Sequence, residues 1–439
     1  MLAAPDLAGR RFLVFGLART GLATLRFLVR SGAFAVAWDA RADARAAAAA
    51  AHPEVAIEDP METGLEGLDG VLLSPGIPLN THPLAARARD TGVPIIGDME
   101  LFQRARPLLP PHRLVGITGT NGKSTVTVLL HHLLLAAGQP ARLGGNIGAP
   151  VLDTPPLPAG GVYVFELSSF QIDLCQTLAA DIAILTNITP DHLDRYDSLD
   201  AYAAAKERLF AMQPQGAHAV IATDTPLAAR ALSRLPAHVR AVPVSAADIE
   251  AHDQARWPGL RGPHNAQNVA CAIAAARLLG VGEARLDEGL ASFRPLEHRM
   301  QEVAIIGGVR FVNDSKATNP ESAASALASF PRVLWIAGGQ AKTADLDACL
   351  PHLGHVKAAF LIGEAAGMMG AILARAGVRV VEAGTLARAV EAAHAEARPG
   401  DTVLLSPACA SFDQFADYEH RGRAFVETVM ALSPRETGR

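Results

Sequence analysis

The segment T-G-T-N-G-K-S-T, running from Thr118 to Thr125, restricts the fold of this chain more than any other. It follows an apolar run at 114–118 and precedes Val126, Leu129, Leu130, Leu133 and Leu134 at helical spacing, with Gly138 as the stop. Strand, glycine loop and helix in that order let backbone N–H groups converge on phosphate oxygens at a helix N-terminus. Such a loop sits at the carboxyl edge of a parallel sheet. Lys123 adds a cation, and the Ser124 hydroxyl suits Mg²⁺. The spacing departs from G-x-x-x-x-G-K-S, because position 117 is Ile and Gly119 stands only three residues before Gly122. A glycine turn opening an ordinary helix is the plainer alternative.

The remaining pattern is α/β throughout. From Phe12 a short apolar run, a glycine turn, a helical stretch at 22–30 and a second run at 35–38 ending at Asp39 make a βαβ unit. Further strands are predicted at 71–73 and 94–96. The series that begins with 114–118 continues at 162–165, 182–185 and 219–222, with a helix at 266–279. A third series starts near Gln301, with strands at 309–312, 333–336, 360–362, 378–381 and 403–405. Three tandem α/β domains follow: a Rossmann-like domain at 1–110, a central P-loop-type ATPase domain at 111–299 and a second Rossmann-like domain at 300–439. The 439 residues suit that number, at roughly 100 to 200 per domain.

Net charge −5 and a pI near 6.3 supply no basic face for nucleic acid or an anionic membrane. Cys175, Cys271, Cys349 and Cys409 form no C-x-x-C pair, so neither a zinc site nor a disulfide framework is expected. Apolar runs stay below about 18 residues and the N-terminus has no signal-peptide pattern. A cytoplasmic monomer is the expectation.

Glu166 follows the strand at 162–165, and His192 follows the strand at 182–185 after Asn187, Thr189, Pro190 and Asp191. In a parallel sheet both reach the edge that carries the phosphate loop. A carboxylate there suits Mg²⁺, while a histidine suits it less and calls for a second role. Taken singly, Glu166 also reads as a cap or ion-pair residue and His192 as a loop histidine.

Eight segments occur in order: T-G-T-N-G-K-S-T, G-G-N-I-G at 144–148, E-L-S-S-F-Q at 166–171, N-I-T-P-D-H-L-D-R-Y at 187–196, H-N at 264–265, E-H-R at 297–299, N-D-S-K-A-T-N at 313–319 and S-P-A-C-A-S-F-D-Q-F at 406–415. Along its whole length the chain resembles the Mur ligase family, whose superfamily includes folylpolyglutamate synthase. The last two motifs resemble those of the members that add D-glutamate to UDP-N-acetylmuramoyl-L-alanine in peptidoglycan precursor synthesis.

The resemblance implies that ATP phosphorylates the substrate carboxylate, the amino-acid amine attacks the acyl phosphate, and ADP and phosphate leave. It assigns the ATP site to Gly119, Thr120, Asn121, Gly122, Lys123, Ser124, Thr125, Asn265, Arg299 and Asp314. Two Mg²⁺ ions are implied, near Ser124, Glu166, His192 and Lys206, with Lys206 carbamylated; the catalytic set is Lys123, His192 and Lys206. A carbamate turns an ammonium into an oxygen ligand, although Lys206 alone reads as a solvated helical lysine. D-Glutamate falls to His192, Lys316, Thr318, Lys342, Ser411 and Tyr418, which together offer cations and neutral donors to a dianionic amino acid. Lys342 otherwise reads as a loop lysine and Ser411 as a helix N-cap. Tyr418 replaces a common Phe. Asn146 and Ser168 complete the implied substrate contacts, and closure of the domains is expected to exclude water.

Gly16 to Gly21 after a strand, with Asp39 ending the next, also suggests a dinucleotide site, but Ala18 replaces the middle glycine. In the family this domain holds UDP, which points to Arg19, Thr20, Asp39, Arg41, Ser74, Pro75, Gly76 and Asn80. Arg19 stands where Leu is common. The rivals are another Mur-type or folylpolyglutamate ligase, which Ser406 to Phe415 disfavours, a dinucleotide-dependent oxidoreductase, and a non-catalytic nucleotide-binding protein.

Overall fold

The structure is a computed structural model that describes residues 2–192, 195–260, 262–294 and 296–432. Leu193 and Asp194, inside the fourth motif, lie outside the described residues. The chain divides into two compact units, 1–250 with 266–292, and 251–265 with 293–439.

The first unit holds two parallel sheets. One comprises β1 (Arg11–Phe15), β2 (Phe34–Trp38), β3 (Ala56–Ile57), β4 (Gly70–Leu73) and β5 (Ile95–Ile96), in the order β3-β2-β1-β4-β5. The order reverses between β1 and β4, so their carboxyl ends open a crevice beside Gly16 and Ser74. The other comprises β6 (His112–Thr118), β7 (Ala141–Gly145), β8 (Gly161–Glu166), β9 (Ile182–Leu185), β10 (His218–Ala222) and β11 (Arg240–Val244), in the order β11-β10-β9-β6-β8-β7. β6 lies between β8 and β9, with Ile117 beside Glu166 and Thr118 beside Leu185. Every residue of β8 and β9 is buried, as expected of strands covered on both faces.

The two sheets are joined by polar contacts. Glu100, buried in the helix Asp98–Ala105, accepts from Gln176 N at 2.8 Å, Thr177 N at 2.9 Å and Thr177 Oγ1 at 2.6 Å. The Arg26 guanidinium meets the Asp153 carboxylate, Nε to Oδ1 at 3.1 Å. Because both oxygens of Glu100 accept hydrogen bonds here, three in all, much of the desolvation penalty of its burial is offset.

The second unit carries β12 (Gln301–Ile306), β13 (Val309–Asn313), β14 (Val333–Gly338), β15 (Val356–Ile362), β16 (Val380–Gly384) and β17 (Thr402–Leu405), ordered β12-β13-β17-β14-β15-β16. β12 pairs antiparallel with β13 and the others are parallel. Apolar side chains from both faces are buried, Trp335 and Leu404 on one and Phe311 and Phe360 on the other.

The strands expected from apolar runs are all present. Four strands carry no such run. β7 is A-R-L-G-G, β3 spans two residues, β11 is an edge strand containing Pro243, and β12 is half-exposed and antiparallel. No described helix is long and apolar enough to cross a membrane.

Candidate active site

The phosphate loop bridges β6 and the helix Lys123–Ala136. Its shape is set by the segment after β9: Asn187 Oδ1 accepts from Asn121 N at 2.9 Å, Asn187 O accepts from Thr120 N at 2.9 Å, and Thr186 Oγ1 donates to Asn121 O at 2.6 Å. Gly122 has φ 81°, and a Cβ there would lie 2.2 Å from Asn268 Oδ1, so only glycine fits. Lys123 Nζ donates to Gly119 O at 3.0 Å and Thr120 O at 2.8 Å, which keeps the ammonium at the mouth of the loop. Thr125 follows in the first turn of the helix.

Beside the loop, Ser124 Oγ donates to Glu166 Oε2, and the other oxygen, Oε1, accepts from Asn146 Nδ2 at 2.8 Å. Ser124 and Glu166 are both buried. Ser168 caps the helix Ser169–Asp173 in a capping box with Gln171. Lys206 is not a solvated lysine: it is 1% exposed, with Nζ donating to Gly119 O at 2.8 Å and lying 4.2 Å from the Tyr202 ring centroid. Burial, and then the nearby Lys123 charge, push its amine well below the usual lysine range. His192 has φ 55°, a strained backbone for a histidine. Its Nε2 lies 3.6 Å from Asp191 Oδ2, and its ring meets Phe170 edge-on at 4.9 Å.

In the N-terminal sheet, Asp39 accepts from Leu17 N at 2.7 Å and Arg41 N at 2.9 Å, fixing the Gly16 turn against the end of β2. Ser74 Oγ donates to Gly16 O at 3.0 Å. A Cβ at Gly21 would lie 1.8 Å from Gly16 O, which requires glycine there. Arg19 and Thr20 open the helix Arg19–Arg30, Arg19 exposed. Pro75, Gly76 and Asn80 lie in the loop after β4. The eight residues expected for the sugar nucleotide thus follow the carboxyl ends of three strands, β1, β2 and β4.

Of the glutamate candidates, Lys316, Thr318, Lys342, Ser411 and Tyr418 belong to the second unit and His192 to the first. Lys316 Nζ lies 4.0 Å from the Tyr418 ring centroid, a cation–π contact, while Tyr418 Oη donates to Glu419 Oε1 at 3.0 Å. The Tyr418 ring thus meets Lys316, and its hydroxyl is used locally. Asp314 is buried, accepting from Ser406 Oγ at 2.9 Å and Met300 N at 3.2 Å, and burial pushes its carboxyl up to about 7. Arg299 sits between His298 (φ 62°) and Met300 (φ 47°). Asn265 is buried in the first turn of the helix Pro263–Leu278. Lys342 is exposed, two residues beyond Gln340, which exchanges both backbone bonds with Ala410 at 2.9 Å. Ser411 is buried and precedes turns rather than a helix, so its N-cap reading fails. Thr318, two residues beyond Lys316, is half-buried.

Two residues without an assigned role prove central. Asn187 braces the phosphate loop, and its place in N-I-T-P was the available signal. Arg421, 1% exposed, donates to Ser315 Oγ at 3.0 Å, Ser315 O at 2.8 Å, Cys409 O at 3.1 Å and Ala410 O at 3.2 Å. It thereby binds the 313–318 and 406–411 segments to one another, and nothing in its sequence neighbourhood announces this.

Among the described residues no group of three or more His, Cys, Asp and Glu is arranged to hold a metal. The donors by the phosphate loop are instead a hydroxyl and a carboxylate in contact, Ser124 and Glu166. Such oxygen donors fit a hard cation that takes its remaining ligands from phosphate and water.

Family models match three segments: Mur ligase MurD-like, N-terminal domain, at 10–97; Mur ligase middle domain at 117–276; and Mur ligase, glutamate ligase domain, at 298–409. A UDP-N-acetylmuramoylalanine--D-glutamate ligase from Sphingopyxis alaskensis is 56% identical over 437 residues, covering 98% of this chain and 100% of the relative. One from Novosphingobium aromaticivorans is 52% identical, covering 98% and 97%. Among solved structures, MurF from Acinetobacter baumannii shares the fold at TM-score 0.59 and 15% identity, covering 97% of this chain and 93% of that one. MurC from Thermotoga maritima does so at TM-score 0.57 and 18% identity, covering 97% and 100%. The ordered motifs, the three α/β sheets and these full-length relatives agree, and the chain belongs to the Mur ligase family.

Proposed function

We propose that the chain is an ATP-dependent peptide ligase that joins D-glutamate to UDP-N-acetylmuramoyl-L-alanine in peptidoglycan precursor synthesis. What carries the reading is the full-length likeness to ligases of that name, at 56% identity. The site supports the chemistry. A substrate carboxylate oxygen attacks the γ-phosphorus, the bridging P–O bond breaks and ADP departs. The D-glutamate nitrogen then bonds to the acyl carbon, loses a proton, and the C–O bond to phosphate breaks. Phosphoryl transfer of this kind calls for positioning and fixed positive charge rather than a protein nucleophile. Lys123 and the loop N–H groups supply both.

Mg²⁺, when bound, neutralises charge on the phosphates, and Ser124 and Glu166 are the residues that would hold it, with His192 and Lys206 at a second ion. Lys206 suits carbamylation because its burial favours the neutral amine, the form that adds to CO₂. The expected result is a CO₂ adduct on the Lys206 peptide, lost at low bicarbonate together with activity; an unmodified lysine in fully active enzyme would remove this step.

The domain limits proposed are 1–110 for the UDP-sugar, 111–299 for ATP and 300–439 for the amino acid. Three separate sheets support them. The reading includes a cytoplasmic monomer, which sedimentation at assay concentration checks. For D-glutamate, Lys342→Ala is expected to raise KM about ten- to hundredfold, the worth of one charge-assisted contact. An unchanged KM would withdraw Lys342 from the site. The whole reading is tested by phosphate release with UDP-N-acetylmuramoyl-L-alanine and a panel of D- and L-amino acids. Release that depends on D-glutamate and the UDP-sugar together is expected, and release with neither would overturn it.

A further inference from the structure

We infer that Arg195 is a positioning residue that ties the sugar-nucleotide loop after β4 to the turn carrying His192, an inference that rests on the UDP-sugar reading of that loop. Its backbone N donates to His192 O at 2.9 Å, and His192 itself adopts φ 55°. Its guanidinium carbon lies 4.4 Å from the Phe170 ring centroid, and Nη2 donates to Gly76 O at 2.5 Å. Phe170 is the same ring that meets His192 edge-on. One residue therefore touches the Gly76 carbonyl, the ring beside His192 and the His192 backbone.

The surroundings hold this strap in place. Tyr196 stacks on Phe170 with rings 6.1 Å apart and 18° from parallel, and gives its hydroxyl to Asp173 Oδ2 at 2.7 Å. Arg195 also borders a pocket shared with Pro75, Asn80, Phe170 and Asp173. Arg195 thus packs against the loop while lining part of that pocket, beside two of the sugar-nucleotide candidates. The residue type matters, because a planar guanidinium can lie on an aromatic face and still donate in its own plane, which a lysine ammonium cannot do.

A strap of this kind sets where Ser74, Pro75 and Gly76 present the sugar nucleotide, without acting on ATP or D-glutamate directly. Arg195→Ala and Arg195→Lys in the full chain are the test. Backbone hydrogen exchange across residues 74–80 in the ligand-free protein is expected to quicken about tenfold in both variants. KM for UDP-N-acetylmuramoyl-L-alanine is expected to rise about tenfold, with KM for ATP and for D-glutamate within about twofold of wild type. Unchanged exchange at 74–80, an equal rise in all three KM values, or full rescue by lysine overturns the inference. If the wild-type chain fails to ligate D-glutamate, the functional reading fails, while the exchange measurement still decides the role of Arg195.

Discussion

Lys123→Ala should lower ligation turnover by about 10²- to 10³-fold, the usual cost of removing one preorganised group aimed at transition-state charge. The loop should keep its shape, because its bends are held by Asn187, Thr186 and the backbone of Gly122 rather than by Lys123. Lys123 is only half-buried, and one of its two acceptors, Gly119 O, also accepts from Lys206 Nζ. The variant should thus unfold near the wild-type temperature and bind the UDP-sugar with unchanged affinity. The defect belongs to kcat. Phosphate release at saturating substrates, beside a thermal melt and a UDP-sugar titration, measures all three. Turnover within about threefold of wild type would show that the loop N–H groups alone stabilise the moving phosphoryl charge.

The phosphate loop was legible because its physics is local. Glycines at 119 and 122, a lysine and a buried apolar strand on one side fix a phosphate cradle within ten residues, and β6 and the helix Lys123–Ala136 lie where those residues require. Glu166 was legible for a related reason: a carboxylate ending a fully apolar strand has to emerge at the carboxyl edge of a parallel sheet. Lys206 was not, since a lysine in an alanine-rich helix reads as solvated; only the tertiary packing of the helix Leu199–Ala211 beneath the loop buries it. The edge strands β7 and β11 were obscured by Gly144, Gly145 and Pro243, residues that weaken a strand pattern yet are tolerated where one side lacks a partner strand. Residues that act across sequence distance are the ones a linear pattern hides.

Arg421 is the strongest case, and Arg421→Ala should both destabilise the second unit and disable D-glutamate use. The guanidinium has four short contacts to Ser315, Cys409 and Ala410 in a site closed to solvent, and burial lowers its pKa to about 10, so it remains charged at neutral pH. Removing it takes the donor from the buried Ser315 and Cys409 carbonyl oxygens, each worth roughly 1–3 kcal/mol if left unpaired, while Ala410 O keeps its bond from Gln340 N. Water entering the space will satisfy some of them, so a loss of about 3 kcal/mol is expected rather than the sum. The functional loss should be larger than melting explains. Ser315 neighbours Lys316, and Ala410 precedes Ser411, so slack between the two segments displaces two of the residues proposed for D-glutamate. A displacement of about 1 Å can cost on the order of a hundredfold in rate. At a temperature where the variant is fully folded, kcat/KM for D-glutamate should therefore fall about a hundredfold, with KM for ATP little changed. Arg421→Lys should recover charge and some stability but little of the D-glutamate efficiency, because one ammonium cannot span acceptors that a planar fork reaches together. An alanine variant that melts early yet keeps wild-type D-glutamate kinetics when folded would confine Arg421 to stability.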